Sequence, residues 1–491
     1  MNTINSLLEN SAQKFPTKTA IVFNERKFSY AEINEQSNRV RNFLASKLKK
    51  GECVSLLLGS SPEFLYSYFG ALKAGATCNP INLRVSDESL HYQIKYTAPR
   101  FLIISSALKA KCTRAELPSE VEVLTCEEIL NSNSPEARVS ISPEDYSTIM
   151  YTSGTTSSPK GVLLKHKNVC SATRNIIEYL KLDESYLCVN ALALSHSFGL
   201  GNVHVLFAAG GSVLQEENAI NVKGILEDIN TSKATLLTAV PATLKQMHEL
   251  YPALLSSCTS LKKIVTNTGL VPEETVRAIV KLLPNTNFIT YYGLTEASRS
   301  SFHCFNQNLS RWNSVGKPAP NVKIKIMHAD GKEAKANERG EVCIFGEHVI
   351  DSYWKNEEAS KAIRAGWFHT GDLGFFDANG FLFISGRVDD VINVGGEKVV
   401  PGEVERIIRV LPFVKDAAVV GKIDDAFGEI PVAFIVTDSK NAQTETLIKQ
   451  ECKNSLEPFK IPQQIFFIDE IPKTESGKKK YNLLREKLKG R

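Results

Sequence analysis

The chain has 491 residues, of which 43% are hydrophobic and 23% charged, and its formal net charge is +4. This length allows two or more domains, and the composition is that of an ordinary globular protein. The small net charge argues against a nucleic-acid partner, and no run of about 18 apolar residues predicts a membrane span. Ten cysteines are dispersed without a C-x-x-C pair, which favours a cytoplasmic protein with reduced thiols.

Strands and helices alternate along the first part of the chain. Ser29 and Glu32 form a capping-box pair that opens a helix, and residues 53–58 have the continuous apolar character of a buried strand. Pro62 predicts the start of the next helix and Gly75 its end. This alternation predicts an α/β fold of layered, at least partly parallel sheets.

A hydroxyl-rich segment at residues 151–161 lies between two apolar stretches, which predicts a polar loop between two strands. Hydroxyl side chains and exposed backbone N–H groups suit a polyphosphate, and a lysine adds positive charge. The spacing is not that of the Walker loop, because Pro159 stands where a glycine should precede the lysine. A flexible linker is the alternative, which the Pro-Lys-Gly exit into an apolar strand disfavours. The candidate phosphate-binding residues are Thr152, Ser153, Gly154, Thr155, Thr156 and Lys160.

The pattern changes in the second half of the chain. Two strand–helix pairs begin at about residues 234 and 263, and short strands with Gly/Asp turns follow from about residue 322. A compact segment of about a hundred residues, the size of a small domain, follows Gly386. We therefore expect a large N-terminal domain at 1–386, with layered α/β sheets and a β-rich subdomain, and a small mobile α+β domain at 387–491.

The segment Tyr291-Tyr292-Gly293-Leu294-Thr295-Glu296 follows an apolar stretch, so we expect it at the C-terminal end of a strand. Ligands of α/β sheets gather at that end. An aromatic ring can stack on a purine, and a carboxylate can hold Mg²⁺ beside phosphates. A strand-to-helix turn with a buried tyrosine is the alternative for this segment taken alone.

Three later segments carry weaker local signals. Asp372 follows a glycine, as turn residues often do, although a carboxylate is also the natural acceptor for a ribose diol. Arg387 and Asp389 lie in a segment that a β-turn with an ion pair would also explain. Gly395 and Gly396 would let a ligand approach the backbone closely.

Taken in order, these segments and the Lys478 segment at residues 471–478 resemble the motifs of the adenylate-forming superfamily. That group includes acyl-CoA synthetases, amino-acid adenylation domains and beetle luciferases. The resemblance implies that the 152–160 loop binds phosphate, that Tyr292 flanks adenine and that Gly293 is among the nucleotide-binding residues. It assigns further nucleotide contacts and the magnesium ligand as follows: Thr295 to phosphate, Glu296 to Mg²⁺, Asp372 to ribose and Arg387 to the nucleotide.

The same resemblance implies a catalytic lysine and a moving C-terminal domain. Lys478 would contact a carboxylate oxygen and the α-phosphate as charge builds in the transition state. Asp389 would be the hinge, and Gly395 and Gly396 would approach the pantetheine arm of a thiol. The chain departs from the family pattern at Ser157, usually glycine, and at a tail position that is usually arginine and here is Tyr481.

The acyl pocket implied by the resemblance contains His196, Gly269, Gly293 and Leu294. Amino-acid adenylation domains usually carry an aspartate where His196 stands, so its absence favours an acid without an α-amine. A lone histidine is, however, more often structural. Asn267 and Thr268 replace part of a usual Gly-Gly-Ala run and make the pocket atypical. We therefore expect a neutral-tailed carboxylic acid that is not purely aliphatic.

The sequence as a whole predicts a carboxylic acid–thiol ligase that uses ATP and Mg²⁺ to form an acyl-AMP and then transfers the acyl group to coenzyme A. An alternative acceptor is the phosphopantetheine of a carrier protein. The alternative functions are amino-acid activation, a luciferase-like oxygenase and a non-catalytic nucleotide-binding protein. The predicted catalytic residues are Lys478, Thr295, Glu296 and His196.

Overall fold

The computed structural model describes residues 2–152, 160–216, 221–473 and 479–489. The chain divides into two compact units. The first contains the described residues up to Lys323 together with Ile344–Phe368, and the second contains Ile324–Cys343 and the described residues from His369 onward. The predicted domain boundary between residues 386 and 387 stays a prediction.

The strands of the first part of the chain are short, and several are buried at every position, as expected where helices cover both faces of a sheet. In chain order they are β1 (Thr19–Phe23), β2 (Arg26–Ser29), β3 (Cys53–Leu57), β4 (Thr77–Pro80), β5 (Phe101–Ile104), β6 (Glu122–Thr125), β7 (Tyr146–Thr152), β8 (Lys160–Lys165), β9 (Leu187–Asn190), β10 (Ser212–Gln215), β11 (Leu236–Thr238), β12 (Lys263–Thr266), β13 (Asn287–Leu294), β14 (Ala297–Cys304) and β15 (Lys317–Pro318).

The remaining strands are β16 (Lys323–Met327), β17 (Gly340–Phe345), β18 (Ser352–Tyr353), β19 (Ile363–Arg364), β20 (Trp367–Phe376), β21 (Leu382–Arg387), β22 (Ile392–Val394), β23 (Glu397–Val399), β24 (Val414–Asp424), β25 (Gly428–Thr437) and β26 (Gln464–Ile468). The helices are α1 (Ile4–Lys14), α2 (Tyr30–Ala45), α3 (Pro62–Lys73), α4 (Asp87–Thr97), α5 (Lys109–Arg114), α6 (Cys126–Leu130), α7 (His166–Leu180), α8 (Ser197–Ala209), α9 (Val222–Ser232), α10 (Pro241–Leu250), α11 (Pro252–Ser257), α12 (Glu273–Leu282), α13 (Glu357–Ser360), α14 (Pro401–Ile408), α15 (Ala442–Ser455) and α16 (Tyr481–Lys489).

Two sheets form the first unit. The nine-stranded sheet has the order β15-β14-β13-β12-β11-β9-β10-β1-β2, and the seven-stranded sheet has the order β18-β8-β7-β4-β3-β5-β6. The central strands of both are parallel, and antiparallel pairs occur only towards the edges. Because parallel strands need helical crossovers, helices alternate with them along the chain. In one core, strand residues such as Val189 and Ile264 pack with helix residues such as Leu226, Leu244 and Ile279.

The second unit contains a sheet with the order β23-β22-β25-β24, in which β26 also pairs with β25. Successive residues of β24 point to opposite faces, as the pleat requires. Val419 belongs to the core that includes Val404 of α14 and Ile448 of α15, whereas Val420 belongs to the core that includes Leu484 of α16. Helices therefore cover both faces of this sheet.

Several predicted helix boundaries are confirmed. Ser29 caps α2, and it forms a reciprocal capping box with Glu32. Pro62 is the first residue of α3, which ends at Lys73 just before Gly75.

None of the helices in the described part of the chain is long and apolar enough to span a membrane. All ten cysteines lie within the described residues; they are buried and form no disulfide. The cytoplasmic location stays a prediction.

Candidate active site

The β13–β14 hairpin carries the predicted adenine and magnesium motif. Leu294 pairs with Ala297, so Thr295 and Glu296 are the two residues between the strands. The motif lies at the end of a strand, as predicted, but the chain continues into an antiparallel strand rather than a helix. A Cβ on Gly293 would lie 2.4 Å from a backbone nitrogen of β14, so this close approach requires glycine.

The Glu296 carboxylate is buried, with 7% of the residue exposed. The Tyr353 hydroxyl donates a hydrogen bond of 2.7 Å to Glu296 Oε1. Tyr353 lies on β18 and pairs with Val162 of β8, the strand that begins at Lys160. A buried carboxylate with one oxygen oriented by a neutral donor fits a hard, oxygen-preferring cation such as Mg²⁺. Sequence inspection missed Tyr353, since it is 57 residues from its partner and lies in no recognisable motif.

The predicted polar loop joins the antiparallel strands β7 and β8, whose last paired positions are Thr152 and Lys160. The flanking strands are therefore as predicted. The candidate residues Ser153, Gly154, Thr155 and Thr156, and the side chain of Thr152, lie outside the described residues. Their assignment to phosphate binding stays a prediction.

In the second unit, the structure brings two predicted nucleotide residues together. Asp372 of β20 and Arg387 of β21 are cross-strand partners, and Arg387 Nη1 donates to Asp372 Oδ1 over 2.9 Å. Arg387 Nη2 also donates to the Thr370 carbonyl over 3.3 Å. Arg387 Nε is buried without a hydrogen-bond partner among the described residues. The pair therefore presents a carboxylate oriented by Arg387, which fits a polar ligand.

Glu341 supports this hairpin and was not found from the sequence. Its Oε1 accepts a hydrogen bond of 3.0 Å from the Gly371 backbone, and its Oε2 lies 2.9 Å from His369 Nδ1. The ligand atoms of Glu341, Cys343 and His369 all lie within 4.8 Å of one another, a spacing that a metal ion could use. The carboxylate already fixes the turn before Asp372, so we assign it a structural role.

The predicted hinge residue, Asp389, lies exposed in a single turn at Val388–Asp390. Its neighbour Asp390 is buried and forms an ion pair of 2.8 Å with Arg485 of α16. The predicted pantetheine-contacting residues, Gly395 and Gly396, form the exposed turn between β22 and β23. Their φ values of 59° and 94° lie in the region that side chains disfavour, so the glycines are required there.

The catalytic lysine predicted from the sequence, Lys478, lies outside the described residues. The tail that follows it is anchored by Glu405, which is buried. Tyr481 Oη donates to Glu405 Oε1 over 2.9 Å, and Lys479 Nζ lies 2.6 Å from Glu405 Oε2. Burial, reinforced by the Glu405 charge, raises the pKa of Tyr481 well above its usual range. Tyr481, which replaces the usual arginine of the family, thus anchors the tail.

The predicted acyl-pocket residues lie on several elements of the first unit. His196 is exposed at the N-cap of α8, with Nε2 2.9 Å from Asn82 Nδ2. Leu294 ends β13, while Gly269 is exposed and a Cβ there would meet no atom within 4 Å. Burial raises the pKa of the Tyr291 phenol, while the Arg299 charge and the Asn267 side chain act in the opposite direction. The assignment of these residues to the acyl pocket stays a prediction.

A cavity lies between α7, α8 and the β13–β14 hairpin. The space within it that water-sized molecules can occupy is about 40 Å³. Arg299 of β14, which sequence analysis did not identify, lines this cavity with only 4% of the residue exposed. A single arginine among the small and apolar residues of β14 was the available sequence signal. Other lining residues include Tyr68, Asn168, Gly201, His204, Thr295 and His348.

Three polar residues end three neighbouring parallel strands beside α8: Asn190 ends β9, Gln215 ends β10 and Thr238 ends β11. Asn190 Nδ2 donates to Gln215 Oε1 over 2.8 Å, and Asn202 of α8 donates to Asn190 and Thr238 over 3.0 Å each. This amide network lies at the carboxyl ends of the strands, the usual ligand edge of such sheets. Its sequence signal is the polar last residue of each apolar strand.

Known proteins resemble the chain over nearly its whole length. The family model for the AMP-binding enzyme matches residues 8–354, and the model for the AMP-binding enzyme C-terminal domain matches residues 403–478. An oxalate–CoA ligase from Arabidopsis thaliana is 31% identical, with 97% of each chain covered.

Solved structures give the same result. The o-succinylbenzoate CoA synthetase of Bacillus subtilis, in complex with the acyl-adenylate intermediate OSB-AMP, has a TM-score of 0.88 at 27% identity over 98% of each chain. The same enzyme in complex with ATP and a magnesium ion has a TM-score of 0.87 at 28% identity over 99% of each chain. These matches confirm the predicted fold class. The chain therefore belongs to the AMP-binding enzymes of the adenylate-forming superfamily, as its motifs predicted.

Proposed function

We propose that this enzyme is an acyl-CoA synthetase, which converts a carboxylic acid into an acyl-adenylate with ATP and then transfers the acyl group to coenzyme A. The observation that carries the proposal is the full-length similarity to CoA ligases, one of them solved with its acyl-adenylate. A carboxylate is a poor electrophile because its leaving group would be an oxide. Attack on the α-phosphate releases pyrophosphate, and AMP is then a good leaving group for a thiol.

The residues of the β13–β14 hairpin support the first half-reaction. The buried Glu296, oriented by Tyr353, would hold Mg²⁺, and Thr295 beside it would contact a phosphate oxygen. When bound, Mg²⁺ neutralises phosphate charge. Lys478 would bond to the carboxylate and the α-phosphate, where charge develops only in the transition state.

The Asp372–Arg387 pair would hold the nucleoside. The carboxylate of Asp372, whose Oδ1 accepts from Arg387, would accept hydrogen bonds from the hydroxyls of a ribose diol. The backbone hydrogen bond from Gly371 to Glu341 fixes the turn in front of that carboxylate. Tyr292 and Gly293 would flank the adenine.

The second half-reaction needs access for a thiol. The exposed turn at Gly395 and Gly396 would admit the pantetheine arm, and Asp389 would be the hinge on which the C-terminal domain changes pose. Coenzyme A is the proposed acceptor because the relatives are CoA ligases. A carrier-protein phosphopantetheine carries the same arm and is the alternative acceptor.

The test is a panel of carboxylic and amino acids scored by pyrophosphate release with ATP and Mg²⁺. Each acid is assayed alone, with coenzyme A and with a phosphopantetheinylated carrier protein, and the thioester is identified by mass. We expect acyl-CoA from at least one acid without an α-amine. ATP turnover that yields thioester only on the carrier protein, or a clear preference for amino acids, would contradict the proposal.

A further inference from the structure

The Arg299 guanidinium is a buried cation whose hydrogen-bond partners are all neutral. It donates to the Phe198 carbonyl over 3.1 Å, to Asn202 Oδ1 over 3.2 Å and to Ser298 Oγ over 3.2 Å. No carboxylate in the described part of the chain forms an ion pair with it. A guanidinium stays charged at any working pH, and burying a charge without a counter-ion is costly.

The surrounding structure is arranged to keep this cation in place. The guanidinium lies over the rings of Phe198 and Tyr291, with its central carbon 5.5 and 5.0 Å from the ring centroids. Arg299 has a φ of 56°, an uncommon conformation for a side-chain-bearing residue. A Cβ on Gly201 would lie 2.5 Å from Nη1, so the glycine leaves room for the head group.

The other ionisable groups that line the cavity are Tyr68, His204 and His348, and burial keeps each of them neutral. Burial lowers the pKa of His204 to about 3 and that of His348 to about 4. His204 Nε2 is buried without a hydrogen-bond partner among the described residues, and so is His348 Nδ1. The described lining therefore offers one positive charge, neutral polar groups and no negative charge. It suits an anion and would repel an ammonium.

We propose that Arg299 binds a second carboxylate on the acid substrate, so that the substrate class is dicarboxylic acids. One carboxylate is activated by ATP, and the other supplies a counter-ion that Arg299 does not have among the described residues. This inference rests on the proposed function and deepens it. It replaces the neutral tail expected from the sequence, and it keeps the expectation that the acid has no α-amine.

The test compares matched acids that differ in one charge. Aliphatic and aromatic dicarboxylic acids of graded length are assayed for pyrophosphate release, each beside its monomethyl ester. We expect kcat/KM to be at least ~10²-fold higher for the best diacid than for its ester, because the ester leaves a buried charge unpaired. A wild-type enzyme that uses the best diacid and its ester equally well would overturn the inference.

The variant Arg299→Gln tests the residue itself. We expect the diacid-to-ester ratio of kcat/KM to fall towards 1, whereas Arg277→Gln, on the exposed surface of α12, keeps the wild-type ratio. A folded Arg299→Gln enzyme that retains the ratio would reject Arg299 as the determinant.

Failure of this inference can be distinguished from failure of the proposed ligase function. If Arg299→Gln does not fold, the diacid-to-ester ratio of kcat/KM for the wild-type enzyme tests the inference. Thermal shift of the wild-type enzyme is a second test, in which the diacid should raise Tm more than its ester does. If no acid in the panel yields pyrophosphate, the proposed ligase function fails. If acids are activated without preference for a second carboxylate, only the dicarboxylate inference fails.

Discussion

Two arginines in different units of the protein, the half-buried Arg387 and the buried Arg299, differ in how their charge is satisfied. On the β20–β21 hairpin, Arg387 faces Asp372 across the strands at 2.9 Å, so the pair is neutral before any ligand arrives. In the cavity of the first unit, Arg299 has three neutral hydrogen-bond partners and two aromatic rings. A satisfied pair suits the uncharged diol of a ribose. An unsatisfied cation suits a charged group.

The two sites also differ in how the sequence encodes them. The proposed nucleotide-binding residues lie in short contiguous segments of the sequence. ATP is the same cosubstrate whichever acid is activated, so these segments can resemble those of enzymes that activate other acids. The residues that line the cavity come from α3, β7, β8, α7, α8, β14 and the loops that carry Thr295 and His348. The proposed nucleotide residues could therefore be found from short motifs, whereas the proposed determinant of the acid required the fold.

The largest expected effect concerns the chemistry that is common to all acids. Lys478→Ala should lower adenylation by ~10²–10³-fold, because the lysine opposes charge that develops only in that step. Thioester formation from preformed acyl-AMP should be spared. Single-turnover assays of the two half-reactions measure this difference. Equal losses in both would remove Lys478 from its assigned role.

Glu296→Gln should slow adenylation by about 10²-fold at limiting Mg²⁺, since a neutral amide is a poor ligand for a hard cation. The preference for a diacid over its ester should persist, because that preference belongs to Arg299. The matched control is Glu273→Gln on the exposed surface of α12. A magnesium titration of pyrophosphate release that matches wild type would exclude Glu296 from the metal site.

Much of the fold follows from local sequence signals. The capping box at Ser29, the proline at the start of α3 and the apolar strands fix where elements begin, because each depends on neighbouring residues. The pairing of Asp372 with Arg387 required strand register, which the sequence does not display. Tyr353 and Glu341 act across long sequence separations and gave no local signal.

The sequence and the fold lead to different proposals for the acid site. The sequence favours a neutral tail because His196 and the polar residues Asn267 and Thr268 are the only acid-pocket signals that its motifs reveal. Arg299 lies only three residues beyond Glu296, but its importance depends on burial and on the absence of a carboxylate partner in the described chain. Both properties emerge only when α8 packs against the hairpin.

Asp372→Asn should raise KM for ATP by roughly 10-fold, the usual cost of weakening hydrogen bonds to a charged acceptor. The amide oxygen can still accept from Arg387, so the hairpin should stay folded. KM for the acid and the diacid-to-ester ratio should not change. Initial-rate kinetics with ATP and acid varied independently test this separation. A variant that shifts acid selectivity would break the division between the two arginine sites.

Tyr353→Phe should give the smallest effect. The substitution removes the hydroxyl that donates to Glu296 but keeps the ring, so the packing of β18 is preserved. Loss of one such bond costs about 1 kcal/mol, or roughly 5-fold in apparent Mg²⁺ affinity, while kcat at saturating Mg²⁺ should return to wild type. In a Glu296→Gln background the same substitution should add little, because the bond it removes is already altered. Magnesium titrations of the single and double variants test this coupling. A kcat deficit that excess Mg²⁺ does not rescue would show that Tyr353 does more than orient the metal ligand.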